Sequence, residues 1–252
     1  MSEQMLYVDE VLLRRALPKN SYLSDLPAVR YLQQNDALRF TAPVTFFVGE
    51  NGTGKSTLLE AIAVACGFNP EGGTRNFHFS TRNTHSELGD LLTIGRKRYP
   101  RDGFFLRAES VYNAATYIEE LDEQKTGAPP IINSYGGVSL HKQSHGESFL
   151  AMVQHRFGGE GLYLLDEPEA ALSPTRQLVL IAELHRLVQQ RSQLIIATHS
   201  PMLTAFPNAQ VLQFSADGIT AVDYRETDHY RVMRRFLNDP NSVLQTLLKK
   251  DE

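Results

Sequence analysis

One stretch of the chain has the residue types and the spacing that bind a phosphate chain. It matches the pattern G-x-x-x-x-G-K-[ST]. Its residues are Gly49, Glu50, Asn51, Gly52, Thr53, Gly54, Lys55, Ser56 and Thr57. Glycines let a backbone fold closely around an anion, and the N–H groups of the loop and of a following helix attract negative charge. We expect Lys55 to reach the β- and γ-phosphates of a nucleotide and Ser56 to ligate Mg²⁺.

The residues on both sides of this loop favour the same interpretation. Residues 44–48 are β-branched and aromatic, which predicts a buried strand. Residues 56–65 have the apolar spacing of a helix. A strand, a glycine-rich loop and a helix in this order form the context in which the motif binds phosphate.

A second group of candidates follows two later apolar runs. Residues 161–165 predict a buried strand that ends in Asp166 and Glu167. Asp166 stands where phosphate-loop NTPases hold Mg²⁺, and Glu167 is a candidate to orient or deprotonate the attacking water. His199 follows the run 194–197 and is a candidate partner of the γ-phosphate, although a histidine at a strand-to-helix turn is often only structural.

A third candidate site begins a predicted helix at Ser144. Ser-x-x-Glu is a capping box, which stabilises a helix start without any ligand. A serine hydroxyl, Gly146 and free N–H groups at a helix start also form an anion site. The two interpretations are compatible, and the residues leave both open.

Taken in chain order, these motifs resemble those of the ABC-type ATPase family over nearly the whole chain. They are the phosphate loop, Ser-x-Gly-Glu, Leu-Leu-Asp-Glu-Pro, Ala-Leu-Ser and Thr-His-Ser-Pro. The resemblance implies that ATP and Mg²⁺ lie between two head-to-tail copies. One copy supplies the phosphate loop with Lys55, Glu167 and His199 as catalytic residues, and the other supplies Ser144 and Gly146 to the γ-phosphate. Residues 171–173 would cross the interface.

The signature motif departs from the family's usual Leu-Ser-Gly-Gly-Gln. Gln143 replaces the leucine, His145 the first glycine and Glu147 the glutamine. The serine and the second glycine remain, so the contact with nucleotide stays plausible. His145 adds a side chain where the family brings backbone close to the phosphate.

Two other family positions have no clear match. Glu109, at the end of the predicted strand 104–109, stands near the place of the family's lid glutamine. We take it as a replacement and as a further candidate Mg²⁺ ligand. Tyr22 and Tyr31 are candidates to stack on adenine, although tyrosines in strands are more often packing residues.

The composition limits the classes of protein. The chain has 252 residues and a net charge of −4. Its one cysteine, Cys66, can form neither an internal disulfide nor a cysteine metal cluster, so we expect it to be a small buried residue. An acidic balance argues against a dedicated nucleic-acid coat. The basic cluster 96–101 could contact DNA, but a solvated turn is the more ordinary interpretation. No signal-peptide pattern or membrane-length apolar run occurs, so we expect a soluble cytoplasmic protein.

The pattern of elements predicts an α/β fold of the phosphate-loop NTPase type. Strands alternate with helices, which indicates a mostly parallel sheet with helices on both faces. The first forty residues, including 28–32, are interpreted as antiparallel strands. We expect a single domain, with a core lobe at about 1–80 and 158–225, an inserted helical signature lobe at about 81–157, and a helical tail at about 226–252.

Three functions compete. The short distance of about ninety residues between phosphate loop and signature leaves no room for a long coiled coil, and the chain resembles stand-alone members of the SMC/RecF-like branch. The first reading is therefore a soluble, nucleotide-gated dimer switch acting on DNA, on a partner protein or in defence. The second is the ATP-binding subunit of a transporter with a membrane permease. The third is a non-hydrolysing module, against which Glu167 and His199 argue.

Overall fold

The computed structural model describes residues 6–18, 21–74, 87–123 and 129–248. The strands in these ranges are β1 (Glu10–Leu13), β2 (Leu38–Arg39), β3 (Val44–Gly49), β4 (Leu92–Gly95), β5 (Asp102–Arg107), β6 (Gly161–Asp166), β7 (Gln193–Ala197), β8 (Gln210–Ser215) and β9 (Gly218–Ala221). The α-helices are α1 (Pro27–Gln34), α2 (Lys55–Ala65), α3 (Leu88–Leu91), α4 (Val111–Glu123), α5 (His145–Ala151), α6 (Pro174–Gln189), α7 (Pro201–Thr204), α8 (Asp228–Asn238) and α9 (Pro240–Leu247). Short 3₁₀ segments and one π-helical segment, Met152–Arg156, connect several of them.

The strands form two sheets. The larger sheet has the order β5-β6-β7-β3-β8-β9, and all of its strands are parallel except the last. The smaller sheet, β2-β1-β4, is antiparallel. The predicted α/β class, with a mostly parallel sheet and an N-terminal antiparallel part, is confirmed.

The larger sheet separates two hydrophobic cores. Along β3, Phe46 faces the core that contains Leu184 of α6, and Phe47 faces the core that contains Ile62 of α2. Successive side chains of a strand point to opposite faces, so one buried strand supplies both cores. Helices therefore cover both faces, as predicted. Cys66, directly after α2, is buried in the second core.

The topology brings three loops to one edge of the sheet. β6, β7 and β3 are parallel neighbours, and Ala197 of β7 stands in register with both Asp166 and Phe47. The loops that follow these strands therefore leave the sheet side by side. In open parallel sheets, ligands bind at this carboxyl edge.

The prediction of a strand at residues 28–32 is wrong, because this segment lies in α1. Pro27 occupies the first helical position, which suits its fixed φ. Ala28, Val29 and Leu32 are the buried residues, and this spacing places them on one face of a helix. Tyr31 therefore lies on a helix and not on a strand.

Residues 6–8 lie beside the sheet without joining it. The side chain of Gln193 on β7 accepts hydrogen bonds from the N–H groups of Tyr7 and Val8, at 2.7 and 2.8 Å, and donates to the Val8 carbonyl at 2.8 Å. One amide side chain thus satisfies backbone groups that a neighbouring strand would otherwise pair. In the described part of the N-terminal region, β1 forms the antiparallel pairs, with β2 on one side and β4 on the other.

The proposed division into lobes stays a prediction. β4 and β5 fall inside the range predicted for the signature lobe, yet they pair with β1 and β6 of the predicted core lobe. The first part of that range, residues 81–86, lies outside the described residues. The tail contains α8 and α9, on which no residue is buried. None of the helices in the described ranges has the length and apolar character required to cross a bilayer.

Candidate nucleotide-binding site

The phosphate loop connects β3 to α2 in a conformation that depends on glycine. Gly49 and Gly54 have φ angles of +137° and +95°, which L side chains rarely adopt. A Cβ atom on Gly49 would also lie 2.1 Å from the Phe214 carbonyl oxygen. Gly54 is the N-cap of α2 and offers no side chain, so the first N–H groups of the helix have no side-chain cap. This helix start is open to an anion.

Lys55 is buried and hydrogen-bonds the start of the loop. Its Nζ donates to the carbonyls of Gly49 and Glu50, at 2.7 and 2.8 Å, and the residue is 4% exposed. Burial lowers the pKa of Lys55, and the carboxylates of Glu167 and Asp166 oppose that shift. The ammonium group is therefore held at the base of the loop by weak carbonyl acceptors that a phosphate could replace.

The other loop residues differ in accessibility. Glu50, Asn51 and Gly52 are exposed, and Thr53 is buried, with its hydroxyl donating to the Glu50 carbonyl at 2.8 Å. Thr57 is half-buried on the first turn of α2. The tip of the loop thus faces solvent while its two ends are packed.

The structure brings together Ser56 and Asp166, two residues that the sequence motifs assign to Mg²⁺. The Ser56 hydroxyl donates to Asp166 Oδ1 at 2.8 Å. Burial raises the pKa of Asp166 to about 6, although the neighbouring Arg107 guanidinium and the Ser56 hydrogen bond lower it. Two oxygen donors, one of them a carboxylate that needs a compensating cation, form a suitable start for a Mg²⁺ site.

Arg107 is a site residue that sequence reasoning missed. Its guanidinium contacts three carboxylates: Nη1 lies 3.0 Å from Glu60, Nη2 lies 2.8 Å from Glu109, and Nε lies 3.5 Å from Asp166. Arg107 stands in register with Asp166 at the ends of β5 and β6. The sequence shows an arginine near the end of a predicted strand. It does not show that this strand pairs with the one that ends in Asp166, and the role of Arg107 depends on that pairing.

Glu109 does not end a strand. β5 ends at Arg107, and Glu109 lies in the 3₁₀ segment Ala108–Ser110 with 71% of its side chain exposed. It lines a small cavity together with Ser56, Asp166 and Glu167. Its role as a Mg²⁺ ligand stays a prediction, and its observed partner is Arg107.

Glu167 and His199 also approach each other at the sheet edge. Glu167 has a φ of +48°, unusual for a residue with a side chain, and 47% of its side chain is exposed. His199 Nε2 lies 3.8 Å from Glu167 Oε1 and is buried, with no hydrogen-bond partner among the described residues. Burial, Lys55 and His229 lower the pKa of His199 against the effect of Glu167. A neutral imidazole is favoured here.

A second missed residue, Glu169, holds the turn that presents His199. Its carboxylate accepts from the Thr198 hydroxyl at 2.6 Å and from the His199 backbone N–H. The Ser200 hydroxyl donates to the Gln177 side chain at 2.6 Å and caps α7. The strand-to-helix turn after β7 is therefore fixed by side chains from the neighbouring loop and helix.

The signature residues form a different environment. Ser144 donates to Glu147 Oε2 through its backbone N–H at 2.9 Å, as in a capping box, and its hydroxyl also donates to the same oxygen at 2.7 Å. Arg176 of α6 donates to Ser144 Oγ at 3.1 Å and to Glu147 at 2.8 Å. Backbone and side-chain hydrogen bonds from Ser144 lower the pKa of Glu147 further than the Arg176 charge does. The predicted helix start is confirmed, and its serine is already engaged.

Gly146 allows this helix start to pack against the loop before α6. A Cβ on Gly146 would lie 2.7 Å from both the Ala171 carbonyl oxygen and the Arg176 guanidinium. Ser173 caps α6 by accepting from the Arg176 N–H. The signature motif and the loop 171–173 are thus neighbours in one chain. Among the described residues, the side-chain partners of Ser144 are Glu147 and Arg176, which lie on α5 and α6 and not in the phosphate loop.

The remaining candidates lie elsewhere. Tyr22 is 65% exposed, and Tyr31 packs on Gly218, so stacking on adenine stays a prediction for both. In the basic cluster 96–101, Arg96 donates to the Ala65 carbonyl and Arg101 pairs with Glu160. Two of its cations thus serve the fold, and contact with nucleic acid stays a prediction.

Comparison with known proteins finds that two parts of the chain match models of AAA domains. A family model described as "AAA domain" matches residues 28–129, and a second, described as "AAA domain, putative AbiEii toxin, Type IV TA system", matches residues 133–205. ABC transporter G family member STR2 of Medicago truncatula is 29% identical in an alignment of 175 residues that covers 63% of this chain. The chain spans 24% of the length of that relative.

Solved structures show the shared fold. CbiO1 of Clostridium perfringens, part of the ABC transporter complex cbiONQ, has a TM-score of 0.52 and 15% identity, covering 96% of this chain and 99% of that chain. The SMC head domain of Thermotoga maritima has a TM-score of 0.44 and 14% identity, covering 86% and 99%. The resemblance to ABC-type ATPases is confirmed: two AAA-domain models match parts of the chain, and the chain shares its fold with an ABC transporter component.

Proposed function

We propose that this chain hydrolyses the β–γ phosphoanhydride bond of ATP with Mg²⁺, and that two copies arranged head to tail enclose the nucleotide. The observation that carries the proposal is the meeting of four side chains beside the open start of α2: Ser56, Asp166, Glu167 and His199. They come from three separate motifs of the sequence, and the parallel order of β6, β7 and β3 brings them together.

The loop fits a phosphate chain. The uncapped N-terminus of α2 offers N–H groups, and the glycine conformations at Gly49 and Gly54 keep side chains away from the backbone. Lys55 is buried beside them and holds only carbonyl acceptors. An anionic oxygen is a stronger acceptor than a carbonyl, so we expect Lys55 Nζ to move to the β- and γ-phosphates.

The donor set also fits Mg²⁺. Mg²⁺ is usually held by one or two carboxylates together with substrate phosphates and water. Ser56 and Asp166 would hold the ion, which supplies charge neutralisation at the phosphate oxygens. Asp166 is buried with a raised pKa, so its ionised form is stabilised by any added cation. In the described part of the chain, no cluster of three or more His, Cys, Asp or Glu side chains forms a complete metal site.

Glu167 is the candidate general base. Its carboxylate is half-exposed, so water can reach it, and its backbone conformation points the chain out of the sheet directly after Asp166. It would accept a proton from the attacking water as that water bonds to the γ-phosphorus. His199 Nε2, buried and without a partner among the described residues, would hydrogen-bond the terminal phosphate from the neighbouring position.

A second copy would complete the site. Ser144 and Gly146 lie on α5 with their own partners, Glu147 and Arg176, rather than with the phosphate loop. The family arrangement, in which a partner's signature faces the γ-phosphate, accounts for a helix start that has anion-binding residues but whose described contacts lie in α5 and α6 rather than in the phosphate loop. The self-contained capping box would then have to rearrange when the two copies close.

Hydrolysis is tested by following phosphate release from ATP–Mg²⁺. Glu167→Gln keeps the shape of the side chain and removes the base, so turnover should fall by about 10²–10⁴-fold. Glu120→Gln, an exposed substitution on α4, is the matched control and should leave turnover unchanged. Equal turnover of Glu167→Gln and wild type would contradict the assignment of the base.

The cellular role that we propose is a cytoplasmic, nucleotide-gated switch. The short spacing between phosphate loop and signature supports a stand-alone ATPase. The description of the second family model names a toxin of a type IV system, which supports a role in defence. Affinity capture of the ATP-trapped Glu167→Gln variant tests this, because a membrane permease in the captured complex would favour the transporter alternative, whereas DNA or a nuclease would favour the switch.

A further inference from the structure

The C-terminal helix α8 brings a histidine to the candidate site. His229, near the start of α8, lies with its Nε2 3.0 Å from His199 Nδ1. The two rings meet edge-on at 73°, with centroids 4.9 Å apart. His229 lies outside the motifs identified in the sequence and stands thirty residues beyond His199.

The position of His229 is fixed by the start of its helix. Thr227 is 2% exposed and is the N-cap of α8, where its hydroxyl accepts from the Tyr230 N–H and donates to the Tyr224 carbonyl at 2.7 Å. Tyr224 and Tyr230 also pack edge-to-face, 5.4 Å apart. A buried cap and an aromatic pair thus hold the first turn of α8 beside His199.

The contact between the two rings decides which nitrogen of His199 carries the proton. A neutral imidazole has one N–H donor and one bare acceptor nitrogen, and a hydrogen bond at one nitrogen determines the state of the other. If His229 donates, His199 Nδ1 is the acceptor and its Nε2 carries hydrogen. If His199 donates from Nδ1, its Nε2 is bare and would repel phosphate oxygens.

His199 Nε2 is the nitrogen that faces the reacting groups. It is buried without a partner among the described residues and lies 3.8 Å from the Glu167 carboxylate. The charged groups around His199 are Lys55 from the phosphate loop, Glu167, and Glu169, which accepts from the His199 backbone. A carboxylate and a terminal phosphate both require a donor at this position.

We propose that His229 is a positioning residue, which donates its Nε2–H to His199 Nδ1 and thereby fixes His199 as an Nε2–H donor to the terminal phosphate. This inference rests on the proposed ATPase function. The proposal gives α8 a role in the site. A shift of that helix would break the hydrogen bond between His229 and His199, which fixes both the orientation of the His199 ring and its tautomer. The cavity of about 630 Å³ between α8 and the phosphate loop, lined by Glu50 and His229 among others, leaves room for such a shift.

The test replaces His229 with two side chains of the same shape, one that can donate a hydrogen bond and one that can only accept. His229→Gln places an amide that donates near the former Nε2, and His229→Glu places a carboxylate that only accepts. Arg231→Gln and Arg231→Glu, on the exposed side of the same helix, control for the added charge and for changes in α8. His199→Gln assigns the resonances of the His199 ring.

The first readout is ¹⁵N NMR of the histidine rings without nucleotide, at about pH 8.5, where an unperturbed histidine is neutral. We expect the Nε2–H tautomer of His199 in the wild type and in His229→Gln, and loss of that tautomer in His229→Glu. An Nδ1–H tautomer in the wild type overturns the proposal. The same His199 tautomer in His229→Gln and His229→Glu also overturns the proposal. The tautomer of the wild type is read from the wild-type spectrum alone, so the test still decides if a variant does not fold.

The second readout is turnover with ATP–Mg²⁺. His229→Gln should stay close to the wild type, and His229→Glu should lose about 10²-fold, the scale of one preorganised donor. Both Arg231 variants should stay close to the wild type. Equal turnover of the two His229 variants would overturn the positioning role. A wild type that does not hydrolyse ATP would instead refute the proposed function, while the NMR result would still stand.

Discussion

The two helix starts that carry anion-binding motifs, those of α2 and α5, use their N–H groups differently. α2 begins after Gly54 and has no side-chain cap, whereas α5 begins after Ser144, whose backbone and hydroxyl both donate to Glu147. Arg176 holds the second start closed from outside. The first is prepared for a phosphate in a single chain, and the second is satisfied until something displaces its own carboxylate.

This difference suggests a division of labour between binding and turnover. A site that is open in one chain can bind nucleotide without a partner. A helix start that is capped by its own glutamate gains a new contact only if that contact offsets the loss of the cap, which costs about 1 kcal/mol. Closure of two copies on ATP would supply many contacts at once.

The largest expected effect is the loss of ATP affinity when the phosphate-binding start of α2 is altered. Lys55→Ala removes the only buried cation held by the phosphate-loop carbonyls in the described structure. ATP affinity should fall by about 2–5 kcal/mol, the scale of truncating one partner of a buried charge pair. Calorimetric titration measures it, with the exposed Lys97→Ala as a control of equal charge change. Unchanged affinity in Lys55→Ala would refute the phosphate-loop assignment.

A smaller effect distinguishes two roles of Ser144 at the start of α5: a helix cap only, or a contact with ATP in a dimer. Ser144→Ala removes the hydroxyl that Glu147 and Arg176 share. If Ser144 contacts ATP in a dimer, turnover should collapse while ATP binding to one chain persists, and we expect this result. Asp239→Ala, which removes the cap of α9, controls for the loss of a helix cap. Melting temperature and kcat measured on the same sample decide, because a purely structural serine would change only the first.

The smallest effect concerns the acid beside the open start. The pKa of Asp166 is raised to about 6 in the folded protein, mainly by burial. A raised pKa means that the carboxyl favours folding when protonated, so this contribution is full below about pH 4 and is lost as pH rises through about 6. Neutral Asp166→Asn should therefore stabilise the ligand-free protein by about 1–3 kcal/mol at pH 8.

Denaturant unfolding at two pH values checks this sign. The gain from Asp166→Asn should disappear near pH 4, where the wild-type carboxyl is also neutral. Asp217→Asn, at an exposed turn, is the matched control and should change stability little at either pH. A variant that is less stable than wild type at pH 8 would show that the Arg107 and Ser56 contacts outweigh burial.

The parts of the site that the sequence could predict are those that follow one another along the chain. β3, the loop and α2 are adjacent, and Asp166 with Glu167 directly follows a buried strand. Local spacing is enough to indicate such features, because strand, turn and helix chemistry act over a few residues. The capping box at Ser144 was predicted for the same reason.

The parts that could not be predicted depend on which elements pack together. Arg107 reaches Asp166 because β5 pairs in register with β6, and His229 reaches His199 because α8 begins beside the turn that follows β7. Neither pairing is coded in a local pattern. The segment 28–32 was misassigned because a short apolar run is compatible with strand and helix, and Pro27 was the signal that could have decided.

The central claim is that two chains close around ATP through the open start of one and the capped start of the other. Glu167→Gln slows hydrolysis while keeping the shape of the site, so ATP should shift the population toward the closed pair. Light scattering after gel filtration, with and without ATP–Mg²⁺, measures this directly. We predict a dimer that forms only with ATP–Mg²⁺. A monomer under both conditions, in a variant that binds ATP and has lost hydrolysis, would mean that one chain contains the complete site and would contradict the account.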